Sequence, residues 1–274
     1  MSTWFITGTS SGFGRMLTKQ LLADGHRVAA TLRRPEAVDD LRAQYGERIW
    51  VAKLDVTDAD RVRKIVDAAF TELGTIDVVV NNAGYGLFAA VEESTDEQIR
   101  QVIETDLIGS ISVIRAALPH LRSQRYGRII QISSAGGQTT YPNFSAYHAA
   151  KWGIEGFCQT VAMEVAPFGI GLTIVEPGAT STGFSTAVER GAVLPEYEDT
   201  PAGALRRAID GGAFEFPNDS AKIAAAIIAS AQVDPAPLRL PLGVDAYDDV
   251  RASLVDRLAQ HDAARALARS VAVG

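Results

Sequence analysis

The sequence predicts one α/β domain, a doubly wound parallel sheet with helices on both faces. Three observations carry this. Short apolar runs alternate with amphipathic stretches along most of the 274 residues. One run, Val78-Val79-Val80, is continuous and β-branched, as a strand buried on both faces of a parallel sheet must be. The residues able to do chemistry fall just after apolar runs, and an open α/β sheet binds its ligands at that edge.

Trp4-Phe5-Ile6 is the first strand. It enters Thr7-Gly8-Thr9-Ser10-Ser11-Gly12-Phe13-Gly14, after which Met16, Leu17, Leu21 and Leu22 recur at helical spacing. Strand, glycine-rich turn and helix in that order can cradle a pyrophosphate. Gly8, Gly12 and Gly14 allow close backbone approach, and the helix N-terminus offers unpaired N–H groups. The spacing is G-x-x-x-G-x-G, not the commoner G-x-G-x-x-G. His26 to Leu32 is the second strand. NAD-binding folds hold the ribose 2′-OH with an acidic residue near this point. Here Leu32 is followed by Arg33 and Arg34, whose guanidinium groups suit a phosphate. This favours NADP(H) over NAD, unless both arginines are simply solvated.

Pro35 to Tyr45 reads as a short helix and Trp50 to Asp55 as the third strand. Thr57 to Leu73 is a helix with Val62, Ile65, Val66 and Phe70 on one stripe. Val78 to Val80 is the fourth strand. It leaves through Asn81-Asn82-Ala83-Gly84, whose amides can bond the backbone of neighbouring strand ends. Ser94-Thr95-Asp96-Glu97 starts a helix with a capping box, and Ile99, Val102, Ile103 and Ile114 form its stripe. Asp106 falls on that stripe. Either it is buried with a partner, such as a lysine or an ordered water, or the helix is rotated and it reaches solvent.

Arg128-Ile129-Ile130-Gln131-Ile132 is a buried strand ending at Ser133-Ser134. The stretch from Ser145 continues as a helix, with Ile154, Phe157, Val161 and Val165 at helical spacing. Tyr147 and Lys151 then share one face. The ammonium favours the phenolate and lowers a pKa that starts near ~10. With Ser134 to position an oxygen, the three supply a proton donor, its tuner and a carbonyl holder. Gly171 to Gly178 is the sixth strand, leaving through Pro177-Gly178. Residues 184–218 read as an irregular loop, the usual form of a lid. Together with 135–145 it should line the substrate pocket, where Phe144, Phe184, Leu194, Tyr197 and Phe214 suggest an apolar, moderately bulky ligand. Ser220 to Ala231 is a helix. Leu238 to Gly243 is a last strand, with Pro241 at a strand end or sheet edge. Residues from about 244 to 272 form a helical extension carrying Val250, Leu254, Leu258 and Leu267.

Composition narrows the partners. A net charge of −7 argues against nucleic acid. No apolar stretch approaches the ~20 residues of a membrane span, and no basic segment precedes the first strand, so a cytoplasmic protein is expected. The single cysteine, Cys158, excludes an intrachain disulfide and reads as a core residue. His26, His120, His148 and His261 show no paired ligand spacing, so no metal is expected.

Five motifs in order make the chain resemble the short-chain dehydrogenase/reductase family. They are Thr7-Gly8-x-x-x-Gly12-x-Gly14, Asn81-Asn82-Ala83-Gly84, Ser134 thirteen residues before Tyr147, Tyr147-x-x-x-Lys151, and Pro177-Gly178. The resemblance is close over residues 3 to about 183. It implies a Rossmann-like fold with a seven-stranded sheet and NAD(P)-dependent hydride transfer. It assigns Tyr147 as acid/base, Lys151 to the nicotinamide ribose, and Ser134 to the substrate carbonyl. Asp55, with Val56, would meet adenine, and Asn82, Ala83 and Gly84 the adenosine side. Thr180 and Thr182, beyond Pro177 and Gly178, would hold the carboxamide and a nearby phosphate. It also places Arg33 among NADP users and implies a homodimer or homotetramer. One departure stands out: the family usually has an asparagine where this chain has Asp106. That asparagine supports a water leading to the catalytic lysine. The expected activity is an NADP(H)-dependent carbonyl reductase or alcohol dehydrogenase. The alternatives are an NAD-preferring relative and a non-catalytic dinucleotide sensor.

Overall fold

The computed structural model describes residues 1–180 and 188–273. Seven strands form one parallel sheet: β1 (Thr3–Thr7), β2 (Arg27–Leu32), β3 (Ile49–Lys53), β4 (Val78–Asn81), β6 (Gly127–Ile132), β7 (Ile170–Pro177) and β9 (Arg239–Leu242). Their order is β3-β2-β1-β4-β6-β7-β9, every pair parallel. The chain winds outward in both directions from the β1–β4 boundary, which is the topological switch point. Pro241 sits on the edge strand β9, where its missing N–H costs no ladder bond to a further neighbour. A second, two-stranded sheet joins β5 (Leu87–Phe88) to β8 (Glu189–Arg190).

Alternating strand residues feed two cores, one on each face. Phe5, Val79, Ile129 and Leu172 pack with Val62, Ile65 and Phe70 of α3 (Ala59–Leu73), Ile114 of α5 (Ser110–Gln124), and Ile154 and Cys158 of α6 (Ser145–Val165). Trp4, Ile6, Val28, Val80 and Ile130 pack with Leu17, Leu21 and Leu22 of α1 (Gly12–Ala23), Leu41 of α2 (Asp39–Tyr45), and Ile223 and Ile227 of α8 (Ser220–Ser230). The wholly buried Trp4 directs its indole N–H to Ser2 Oγ at 2.9 Å, so its polar atom is satisfied.

Three sequence expectations change. The capping box lies one residue later than expected: Thr95 and Gln98 exchange side-chain and backbone bonds ahead of α4 (Asp96–Ile103). Periodicity reads α4 and α5 as one regular helix; they are continuous, but through a π-turn at Glu104–Gly109 that shifts the phase between them. The segment expected to be irregular is organised where described. It contains β8, a 3₁₀ turn at Pro195–Tyr197 and the helix α7 (Pro201–Asp210). Buried Arg206 of α7 pairs with buried Glu93. Asn143 Nδ2 donates to Ala202 O at 2.8 Å, so polar bonds fix a helix whose buried residues are Ala202, Gly203 and Arg206. Thr182 and Phe184 lie outside the described residues.

The C-terminal extension is helical, as α9 (Val244–Ala263) and α10 (Arg265–Ser270). Its buried residues are Ala246 and Val250, whereas Leu254, Leu258 and Leu267 are exposed. Among the described residues no helix is long and apolar enough to cross a membrane.

Candidate active site

The sheet's carboxyl edge opens into a cleft of about 1260 Å³ that reaches from the glycine-rich turn to Tyr147 and Lys151. Ser134 follows β6 and caps a short 3₁₀ turn, its Oγ accepting from Gly136 N–H at 3.1 Å. Tyr147 and Lys151 stand one turn apart on α6, both buried. The Ser134 hydroxyl hydrogen-bonds the Tyr147 phenol. Lys151 Nζ lies 5.4 Å from the centre of the Tyr147 ring and donates weakly to Ile132 O at 3.4 Å.

Asp106 completes the group. It is wholly buried, with Oδ2 3.1 Å from Lys151 Nζ and Oδ1 accepting from Tyr85 N–H at 3.0 Å. Of the two sequence alternatives, the buried, lysine-paired one is found. Glycine makes the room: a Cβ on Gly84 would lie 2.9 Å from Asp106 Oδ2.

Burial dominates the electrostatics here. It pushes the Tyr147 phenol up, the Lys151 ammonium and Ser134 bond pull it down, and Asp106 pushes it up again; the net direction is up. The ammonium pulls the phenol down as the sequence leads one to expect, but desolvation outweighs it. Burial acts to lower Lys151, but Asp106 and then Tyr147 outweigh it, and the ammonium is held above its ordinary value. Burial raises Asp106 despite the opposing pull of Lys151 and the Tyr85 N–H.

The other end suits a dinucleotide. Gly8 takes φ +72°, and a Cβ there would meet Ala83 Cα at 2.8 Å. Asn82 Nδ2 donates to Thr7 O at 2.8 Å, and Thr7 Oγ1 accepts from Asn82 and Ala83 N–H, so β4 braces the turn. Asn81 donates to Ser110 O at 2.7 Å. The N-terminal turn of α1 carries no acidic residue, and Ser11 does not cap it through its side chain, which leaves its N–H groups for an anion.

Gly8, Ser10, Ser11, Gly12, Phe13, Arg33, Asp55, Val56, Asn82, Ala83, Gly84, Pro177, Gly178 and Thr180 line the cleft. Gly14 and Arg34 do not. Gly14 instead packs under the turn, where a Cβ would come within 2.4 Å of Gly8 O. Arg15 is engaged by Ala37 O and Asp40, whereas Arg33 is exposed at the rim and forms no ion pair among the described residues. Asp55 Oδ1 accepts from Thr57 N–H and Oγ1, which fixes the turn after β3.

Sequence reading missed Asp245 of α9. Its Oδ2 accepts from Ala179 N–H at 2.7 Å and its Oδ1 from Asn218 Nδ2 at 2.8 Å, so it holds the exit of β7. The available signal was Gly243, at φ +122°, just before a helix that begins with an acid.

Such a fold, with a phosphate cradle at one end and a Ser–Tyr–Lys group at the other, defines a dinucleotide-binding oxidoreductase. The sequence model described as short chain dehydrogenase matches residues 2–192. Oxidoreductase BOA17 of Botryotinia fuckeliana is 37% identical over 249 residues, 89% of this chain and 90% of that protein. A 3-ketodihydrosphingosine reductase of Bacteroides thetaiotaomicron is 36% identical over 201 residues, 73% and 72% of the two chains. The crystal structure of a short-chain dehydrogenase from Streptomyces avermitilis superposes with a TM-score of 0.90 at 36% identity, covering 99% of this chain and 100% of that one. The chain belongs to the short-chain dehydrogenase family.

Proposed function

We propose that the protein is an NADP(H)-dependent carbonyl reductase, working in reverse as an alcohol dehydrogenase on secondary alcohols. The carrying observation is that Ser134, Tyr147 and Lys151 share one cleft with the glycine-rich turn and Arg33. Gly8 to Phe13 and the N–H groups of α1 would hold the pyrophosphate, Arg33 the 2′-phosphate and Lys151 the nicotinamide ribose. Bound there, the dinucleotide supplies or accepts a hydride. Ser134 holds the substrate oxygen and Tyr147 gives it a proton. A phenol that keeps its proton at neutral pH can give it to the carbonyl oxygen. The Lys151 ammonium stabilises the phenolate as the proton leaves, and Asp106 keeps that ammonium charged.

The substrate end supports an apolar carbonyl compound. Phe88, Phe144, Leu205, Ile209, Phe214 and Phe216 line it. The relative named for a keto substrate agrees with this class. Residues 188–218 form its cover in this reading, pinned by Glu93–Arg206. Exposed Ile108 near Asp106, and exposed Trp152 and Met163 on α6, support a homo-oligomer through these helices.

The test is oxidation of NADPH and NADH against a panel of ketones and aldehydes, with Tyr147→Phe alongside. Turnover favouring NADPH and lost in the variant supports the reading. Turnover with NADH alone overturns the cofactor, and full turnover by Tyr147→Phe overturns the mechanism.

A further inference from the structure

Behind Ser134 lies a polar cluster that the mechanism above does not use. Glu155 of α6 and Glu176 of β7 are 3% and 1% exposed, and one arginine, Arg239 of β9, serves both. Arg239 Nε and Nη2 lie 3.3 and 3.2 Å from Glu155 Oε2, and Nε lies 3.2 Å from Glu176 Oε1. The guanidinium also reaches Gln159 Oε1 at 3.1 Å. Both carboxyl groups therefore converge on the same guanidinium nitrogen, Arg239 Nε. Two buried carboxylates against one cation leave an uncompensated negative charge unless a proton is retained.

This pair grips both ends of one turn. Ser133 Oγ donates to Glu155 Oε1 at 2.9 Å, and Gln138 Nε2 donates to Glu176 Oε1 at 2.7 Å. Between them lie Ser134 and the 3₁₀ turn Ala135–Gly137. The turn is pressed onto the pair: a Cβ on Gly137 would stand 2.2 Å from Glu155 Oε1 and 2.6 Å from Ser133 Oγ. Among the described residues, the other ionisable groups facing the pair are Lys151, one turn before Glu155 on α6, and Cys158, which burial holds as a thiol.

We propose that Glu155 and Glu176 are positioning residues that share one proton and through it fix the Ser133–Gln138 turn that presents Ser134. The functional part of this rests on the reading of Ser134 as the oxygen-holding group. Burial first, and then the Glu155 charge, push Glu176 up to about 7, so the shared proton leaves near neutrality. Its loss sets two carboxylates against each other, loosens the grips on Ser133 and Gln138, and displaces Ser134.

Two measurements on the full-length protein need no substrate. Infrared spectra from about pH 6 to about pH 9 should show a protonated carboxyl band that vanishes with a midpoint near neutrality, where an isolated glutamic acid is already ionised. Glu176→Gln should lack the band. Hydrogen exchange of the 133–140 segment, corrected for intrinsic rates, should rise several-fold across the same midpoint in the wild type and stay flat in Glu176→Gln. Glu155→Gln gives the same reading if the first variant fails to fold. With an accepted carbonyl, kcat should fall several-fold across that midpoint in the wild type but not in the variant, with KM for the dinucleotide unmoved. Absence of the carboxyl band, or equal exchange in wild type and variants, overturns the proposal. A responsive turn in a protein that reduces no carbonyl would sink the proposed activity and leave the shared proton standing.

Discussion

Asp106 Oδ2 and Lys151 Nζ stand 3.1 Å apart, the carboxylate wholly buried and the lysine 6% exposed. The family's usual asparagine would offer a neutral oxygen here, so this chain adds a charge beside the Lys151 ammonium. Asp106 raises both Lys151 and Tyr147. Asp106→Asn should therefore lower both, moving the Tyr147-dependent limb of the kcat/KM–pH profile toward acid. An unmoved limb would show that the charge does not act on the phenol. Asp106→Leu should cost about 3–5 kcal/mol in denaturant unfolding, because it strands a buried ammonium.

Arg33 projects at the cleft rim with no carboxylate partner among the described residues. A charge-assisted contact to phosphate contributes about 1.5–3 kcal/mol. Arg33→Asp should thus raise KM for NADPH by about 10- to 100-fold and leave that for NADH the same or lower. Steady-state kinetics with both dinucleotides checks this, and a retained NADPH preference would remove Arg33 from phosphate recognition.

Gly14 supports the cradle without lining it. A methyl group there would meet Gly8 O at 2.4 Å and Asn82 Nδ2 at 2.5 Å, both part of the brace between β1 and β4. Gly14→Ala should destabilise the fold by about 1–3 kcal/mol as the turn is forced away. Isothermal titration should also register weaker dinucleotide binding. Unchanged binding and stability would mean that α1 can slide.

His148, beside Tyr147, is 6% exposed, its Nε2 has no hydrogen-bond partner among the described residues, and burial depresses it to about 4. Unfolded, it titrates near ~6.5. The unfolded chain therefore binds the proton more readily, and stability falls as pH drops from about 6.5 through about 4. The full loss is about 3 kcal/mol, at about 1.4 per unit. The difference in Tm between wild type and His148→Phe should narrow or invert over that window. A constant difference would refute the assignment.

Much of this was legible in the sequence, for physical reasons. All seven strands of the main sheet could be read: burial on both faces makes central strands continuous apolar runs such as Val78–Val80, and the partly exposed edge strands β3 and β9 still carry short apolar stretches. Tyr147 and Lys151 were legible because one helix fixes their spacing. Four features were not. The π-turn changes the phase of a helix without changing its composition. The phenol's direction depends on burial, which a motif does not state. Asp245 comes from a helix 66 residues beyond Ala179, and no local pattern joins the two. The helix α7 was hidden because it is short and its buried residues, Ala202, Gly203 and Arg206, include no large apolar side chain; polar grips, Glu93–Arg206 and Asn143–Ala202, hold it.

The π-turn at Glu104–Gly109 makes α4 and α5 a single rod with a phase slip. Above the slip, Gln98 Nε2 donates to Glu189 Oε1 at 2.9 Å and to Arg190 O at 3.2 Å, both in the segment beside the substrate end. Below it, Val113, Ile114 and Ala117 are locked into the core. At the slip itself, Asp106 engages Lys151. An α-helix turns about 100° per residue. Deleting one residue here would swing Gln98 off β8 or Asp106 off the lysine, but could not preserve both. The joint thus works as a keyway: the position of β8 and the carboxylate that meets Lys151 are indexed to each other by one surplus residue.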